Sequence, residues 1–381
     1  MIISFFEVTD MEKEEFDKVF SKLKENYKVE AGTAEDICKT PLLTLDSPSL
    51  NYIFGGGFPL GRVIMLHGKE SGGKSTLSTY IASQVQKKYD GKNIVVYFDF
   101  ERTFDSSHAK TLGLDVDNNF YIIKADSAED CFMQMKEIVD TGEVGLVILD
   151  SVGAISSKSL NEDPNKATFG AVAKALSAGL KYILPTLDRN KCSLIMINQE
   201  RASMEMYGPG YTLPGGSAIK YFSSWTGRLT KKEDIKDKTE IKGIVMRVKN
   251  TKNKIANPFR EALIKLYFDN GIDSEDEYLD YLVSLGLVTQ KGAWFSNDEW
   301  GMKVAGKNGM AQFLKEKPEL FEEVKKQIND IILGRNVLDD HQTLEKGEVL
   351  DNGIDMPHNL NYEVRNFLEN EDWEGGTEVE E

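Results

Sequence analysis

The stretch Gly68-Lys69-Glu70-Ser71-Gly72-Gly73-Lys74-Ser75 decides the fold. It fits G-x-x-x-x-G-K-[ST], the phosphate-binding loop of nucleoside triphosphatases. Arg62-Val63-Ile64-Met65-Leu66-His67 precedes it and reads as a buried strand. Thr76 to Lys87 follows, with Leu77, Tyr80, Ile81 and Val85 at helical spacing. A strand, a glycine loop and a helix start gather the backbone N–H groups from Gly68 to Thr76 into a concave nest. Nest and helix dipole together favour a polyphosphate. Lys74 is expected to reach the β- and γ-phosphates, and the Ser75 hydroxyl to ligate Mg²⁺. The implied cofactors are therefore ATP and Mg²⁺.

Outward from this loop, short apolar strands alternate with helical patterns. The clearest further strands are 94–99, 121–123, 145–149 and 193–197. Each is rich in Val and Ile and continuous rather than alternating, as in a parallel sheet covered on both faces. The fold predicted is a doubly wound α/β core with a mostly parallel sheet. Strand-like runs at 224–230, 241–249 and 262–268 lack intervening helices and predict an antiparallel extension. Upstream, residues 10–27 read as an amphipathic helix with Phe16, Val19, Phe20 and Leu23 on one face. Lys39 to Leu45 reads as extended, and a short helix starting at Ser47-Pro48 ends at Gly55-Gly56-Gly57. Downstream, 275–335 reads as a compact α-rich unit with a helix from Pro318 to Leu333. The expected domains are an N-terminal helix-strand arm at 1–45, an ATPase core at 46–270, a small C-terminal domain at 271–335 and an acidic, flexible tail at 336–381.

Composition narrows the class. Hydrophobic content of 40% with 28% charged residues describes a soluble globular chain. No apolar run is long enough to cross a bilayer. The start, Met1-Ile2-Ile3-Ser4-Phe5-Phe6-Glu7, lacks the basic n-region of a signal peptide. Cys38, Cys131 and Cys192 lie far apart without metal spacing and read as reduced thiols, so a cytoplasmic location is expected. A net charge of −16 argues against indiscriminate nucleic-acid binding by the whole surface, but leaves room for a local basic site. In the tail, Glu363, Glu369, Glu371, Asp372, Glu374, Glu378, Glu380 and Glu381 face only Arg365. That composition suits a solvated end, and equally a polyanion competing with nucleic acid for a basic groove.

Three strand ends supply further chemistry. Gly145-Leu146-Val147-Ile148-Leu149-Asp150 ends in a carboxylate suited to the Mg²⁺ shell, the Walker B pattern. Ile94 to Glu101 ends with Asp99 and Glu101. Ligands of such sheets bind at the carboxyl ends of strands, so Glu101 is a candidate to orient and deprotonate a water. A polar strand end with no catalytic part explains Asp99 and Glu101 equally well. Ile195-Met196-Ile197-Asn198-Gln199 ends in an amide able to hydrogen-bond a γ-phosphate. Gln199 heads a glycine-rich loop, Glu200 to Gly216, placed to pass a nucleotide signal outward.

Taken together the sequence resembles the RecA-type homologous-recombination ATPases, bacterial RecA and phage recombinases of the UvsX kind. The resemblance runs through Ser49-Leu50-Asn51, Gly56-Gly57-Phe58-Pro59-Leu60-Gly61-Arg62, the phosphate loop, Phe98-Asp99-Phe100-Glu101, Leu149-Asp150-Ser151, Ile197-Asn198-Gln199 and Gly215-Gly216-Ser217-Ala218-Ile219-Lys220. It continues through Lys252-Asn253-Lys254-Ile255-Ala256-Asn257-Pro258-Phe259 and Gly292-Ala293-Trp294-Phe295. It implies that Glu101 is the hydrolytic base, that Asp150 is the Walker B carboxylate, and that Gln199 senses the γ-phosphate. It also implies that Lys252 and Lys254 reach the ATP of a neighbouring subunit; without the resemblance those lysines read as a solvated strand face. Asp105 and His108 would lie near the adenine, His108 where the bacterial pattern often has tyrosine. Lys69 replaces the usual proline of the loop, and Arg102 stands where histidine is common.

The resemblance also places two DNA loops on a filament axis, about Ser156 to Lys166 and Glu200 to Gly216. It makes Lys158, Lys166 and Arg201 phosphate contacts, and Met204, Met206, Tyr207 and Tyr211 base contacts, beside Gly215 and Gly216. Lys303 and Lys307 in the C-terminal unit are weaker candidates for duplex capture. The implied function is ATP-dependent DNA strand exchange by a helical homopolymer on single-stranded DNA, with hydrolysis releasing it. Single- and double-stranded DNA are the implied partners, together with a single-strand-binding protein and a loading mediator. Two other readings share this core: a ring-forming helicase or clock-type ATPase, and a recombination mediator that binds ATP without turnover. Glu101 with Lys252 and Lys254 argues against the last.

Overall fold

The computed structural model describes residues 10–27, 32–33, 38–162, 170–203 and 210–333. It divides into two compact units, 1–41 and 42–381. In the first, the helix Asp10–Tyr27 stacks Phe16 on Phe20 and leaves Phe16, Val19 and Leu23 exposed. The tail expected at 336–381 lies outside the described residues, as do Lys166, Met204, Met206 and Tyr207.

The second unit opens with β1 (Leu42–Leu43), which pairs antiparallel with β2 (Phe58–Pro59). Between them lies the helix Pro48–Phe54. Its N-cap Ser47 accepts from the Leu50 N–H, and Gly55 closes it in the left-handed region at φ 93°. The core strands are β3 (Val63–Gly68), β4 (Ile94–Asp99), β5 (Phe120–Ile123), β6 (Val144–Asp150) and β7 (Ser193–Gln199). They run parallel in the order β3-β7-β6-β4-β5. A short antiparallel pair, β8 (Arg201–Ala202) with β9 (Tyr211–Thr212), stands off the end of β7. Then β10 (Trp225–Asp237) joins β3 in parallel, and β11 (Glu240–Asn253), β12 (Glu261–Tyr267) and β13 (Gly271–Ile272) extend the sheet antiparallel to nine strands.

The continuous apolar strands are explained by a core on each face. Ile64 and Leu66 of β3 pack with Leu77, Ile81 and Val85 of the helix Lys74–Lys88. Val63 and Met65 face the other way, toward Phe132 and Met135 of the helix Ala128–Val139 and Leu176, Leu180 and Ile183 of the helix Ala171–Asn190. Every residue of β3 and β6 is buried. This is the mostly parallel, doubly wound sheet with an antiparallel extension that the sequence predicts.

The C-terminal unit has its own core of Leu282, Met310, Leu314, Val324 and Ile328. Beside its helices Ser274–Ser284, Gly306–Lys315 and Pro318–Ile332 it carries a three-stranded meander, β14 (Thr289–Lys291), β15 (Trp294–Asn297) and β16 (Met302–Ala305). That sheet adds to the α-rich reading. The unit meets the core through a buried polar contact: Ser47 Oγ donates to Glu277 Oε2 at 2.6 Å. Lys307 is held by Asp276 and Asp280, which occupies its charge locally.

Candidate active site

The phosphate loop connects β3 to the helix Lys74–Lys88. Gly68 is required by close approach: a Cβ there would lie 2.2 Å from the Leu229 carbonyl oxygen on β10. Gly73 sits at φ 84° as the helix N-cap, and Ser71 takes the left-handed region at φ 58°, a sparsely populated conformation typical of functional loops. Lys69, Glu70 and Ser71 are exposed at the turn and Gly72 is buried, with Thr76 partly buried in the first helical turn. Lys74 is buried, and its Nζ donates to the Lys69 carbonyl at 2.7 Å. Burial pushes the Lys74 ammonium below its ordinary pKa, and the carboxylates of Asp150, Glu101, Glu200 and Glu70 act against that shift.

β4, β6 and β7 bring their carboxyl ends to this loop. Ser75 Oγ donates to Asp150 Oδ2 at 2.7 Å, and the buried Tyr97 hydroxyl donates to the same oxygen at 2.6 Å. Burial raises the Asp150 carboxyl above its ordinary value, opposed by the Tyr97 and Ser75 hydrogen bonds. Two hard oxygen ligands in contact, a hydroxyl and a carboxylate, suit Mg²⁺. Asp99 pairs across the sheet with Asp150 and accepts from the Thr103 and Phe104 N–H groups, so it caps a turn. Glu101 is exposed, and Ser151 Oγ donates to its Oε1. The two acidic residues of β4's end therefore part: Asp99 is structural, whereas Glu101 is presented to solvent. Gln199 pairs with Gly68 across β3 and β7, which puts it at the phosphate loop.

Other sequence candidates have local partners. Asp105 caps the helix Ser106–Thr111 by accepting from the Ser107 and His108 N–H groups, with His108 half-buried on that helix. Lys158 pairs with Asp130 at 2.7 Å. Arg201 is exposed on β8. Gly215 at φ 87° packs where a Cβ would strike Ile219, and Gly216 at φ 74° starts the helix Ser217–Phe222. Lys252 and Lys254 both donate to the Tyr221 carbonyl at that helix's end, and Lys252 also to Lys220. Burial, then the neighbouring Lys254 charge, pulls the Lys252 ammonium down to about 8. In register, Lys252 pairs with Thr226 and Thr226 with Met65, three residues before Gly68 on β3. At about 3.3 Å per residue, the lysines lie roughly 10 Å along the strand from their own phosphate loop, toward the opposite end of the sheet.

The sequence reading missed a buried ion cluster beside the loop. Glu200 follows Gln199, and its side chain is 3% exposed. It accepts from Arg228 Nε at 2.8 Å and Nη2 at 3.0 Å, and pairs with His67 Nδ1 at 2.9 Å. The Arg228 guanidinium lies 4.6 Å from the Tyr211 ring centroid, and His67 packs on the same ring at 5.7 Å. Arg228 belongs to no motif, His67 is signalled only as the polar end of an apolar strand, and Glu200 and Tyr211 are legible only as members of the glycine-rich loop.

The fold and site define a nucleotide-binding core of the phosphate-loop class, with its nucleotide site at the carboxyl ends of a parallel sheet. The RecA N-terminal domain family matches residues 14–273, and the RecA C-terminal domain family matches 277–333. The chain is 35% identical over 276 residues to Protein RecA of Thermus aquaticus, covering 72% of this chain and 80% of that protein. It is 34% identical over 295 residues to Protein RecA of Mycoplasmopsis pulmonis, covering 76% and 85%, and 33% identical over 278 residues to that of Aquifex pyrophilus, covering 72% and 78%. The chain belongs to the RecA family. Among the described residues, no helix is long and apolar enough to cross a membrane.

Proposed function

We propose that this chain is an ATP-dependent DNA strand-exchange recombinase whose ATP hydrolysis depends on DNA. What supports the reading is Ser75 bonded to Asp150, Gln199 in register with Gly68, and Glu101 near enough to act on the Lys74 charge. Lys74 binds and neutralises the transferring phosphate, which is electrostatic transition-state stabilisation. Glu101, aligned by Ser151, takes a proton from the attacking water. Gln199 detects the γ-phosphate and leads directly into the Glu200–Gly216 loop. Mg²⁺, held by Ser75 and Asp150, would supply charge neutralisation to the β- and γ-phosphates.

Assembly into a homopolymer is part of the reading. Lys252 and Lys254 stand toward the far end of the sheet from their own phosphate loop, which supports action on a neighbour's ATP. Head-to-tail addition without closure gives a filament, and the exposed apolar face of the helix Asp10–Tyr27 offers a surface for it. Arg201, with Lys158, Tyr211 and the Gly215-Gly216 turn, belongs to the DNA-facing surface, which takes single-stranded DNA first and duplex second.

The test is pairing of a circular single strand with a homologous linear duplex in ATP and Mg²⁺. Joint molecules formed only with homologous DNA, and absent with Lys74→Ala, are expected. Duplex unwinding without homology dependence would favour a helicase and overturn the reading.

A further inference from the structure

The phosphate loop and the second DNA loop meet at one buried carboxylate. His67, immediately before Gly68, is in register with Arg228 on one side and Asn198 on the other. Glu200 sits just beyond β7, and its N–H donates to the Gly68 carbonyl at 3.0 Å. Its side chain then receives Arg228 side-on through two N–H groups. That paired geometry fixes orientation as well as distance. Burial lowers the His67 pKa, leaving the ring neutral at pH 7, and an ionised carboxylate only accepts, so the Nδ1–H donates.

The far end of the loop returns to the same place. Tyr211 on β9 pairs with Ala202 on β8 and lies against both Arg228 and His67. Asn198 Nδ2 donates to the Pro214 carbonyl at 2.9 Å, a second tie between the strand end and the returning chain. Glu200 also acts electrostatically on Lys74. Glu200 thus ties Gly68, Arg228 and, through Tyr211, the returning end of the loop to one point.

We propose that Glu200, clamped by Arg228 and His67 and covered by Tyr211, is a positioning residue that makes DNA affinity depend on which nucleotide is bound. The inference rests on the functional reading above and adds the element that carries its coupling. Tyr211 serves here as the anchor of the loop's return. A cluster that only held the fold together would lower the melting temperature of its variants and leave the nucleotide dependence of DNA binding intact.

The experiment compares wild type with Glu200→Gln and Arg228→Gln. Fluorescence anisotropy of a labelled oligodeoxythymidylate gives Kd in ADP and in a slowly hydrolysed thio analogue of ATP. The ratio of the two is the coupling, and linkage makes it reciprocal between sites. For wild type a ratio on the order of 5- to 150-fold is expected. Both variants should fall to within about threefold of unity when each Kd is measured at saturating nucleotide. The double variant should be no worse than the worse single one, because the residues act as one unit. Arg228 is more exposed than Glu200, so Arg228→Gln decides the matter if Glu200→Gln does not fold. A wild-type ratio of one overturns the functional reading and the inference with it. A large wild-type ratio matched by folded variants overturns the cluster's role alone.

Discussion

Replacing Glu277 by Gln should change how stability depends on pH. Glu277 is buried where the helix Ser274–Ser284 meets Ser47, and its Oε1 has no partner among the described residues. Burial pushes its carboxyl from 4.5 up to about 7, against the hydrogen bond from Ser47. Between those values the folded protein holds a proton that the unfolded chain has released. That stabilisation is fully present below about pH 4.5 and is lost as pH rises through about 7. Integrated from pH 5.5 to pH 8, the loss is about 2 kcal/mol for wild type. Gln has nearly the same shape and does not titrate. The difference in unfolding free energy, variant minus wild type, should therefore move in the variant's favour by about 2 kcal/mol over that range. Urea unfolding measures it at fixed protein concentration, because assembly shifts apparent stability by mass action. Other titrating groups cancel in the difference. Parallel stability profiles for the two proteins would refute the claim that a buried, proton-holding carboxyl joins the C-terminal unit to the core.

Two further outcomes follow from the site. Tyr97→Phe should fold, since its ring packs on Phe104 and Phe120, but should raise the Mg²⁺ concentration for half-maximal ATP hydrolysis by about fivefold, the worth of one hydrogen bond to Asp150; an unchanged Mg²⁺ titration would show that Asp150 needs no such support. Mixing Glu101→Gln with a Lys252→Ala, Lys254→Ala double variant should restore some hydrolysis that neither has alone, because some interfaces then combine an intact base with intact lysines. Mixtures that never exceed either parent at matched DNA occupancy would assign the lysines to their own subunit.

The core was legible where burial imposes a simple pattern. β3, β6 and β7 are covered on both faces, so their apolar runs are unbroken and their polar ends mark the site. β10 and β11 run well past the predicted 230 and start before 241, because that part of the hairpin carries charged residues such as Lys231, Glu233 and Asp234 with no apolar signal. The meander strand Thr289–Lys291 is wholly exposed and is invisible for the same reason. Asp99 and Glu101 are indistinguishable as letters; only the turn at Thr103 and Phe104 separates a capping carboxylate from an exposed one. The Glu200 cluster joins β3, β7 and β10 from positions far apart in the chain, and no local spacing encodes that meeting.

The most direct measurement of the central claim is steady-state ATP hydrolysis with and without single-stranded DNA, for wild type and Glu101→Gln. Wild type should be strongly stimulated by DNA. Glu101→Gln should still bind ATP and DNA but hydrolyse at least roughly 10²-fold more slowly, as expected for a lost general base. Wild-type hydrolysis indifferent to DNA, or Glu101→Gln turning over at the wild-type rate, would contradict that claim.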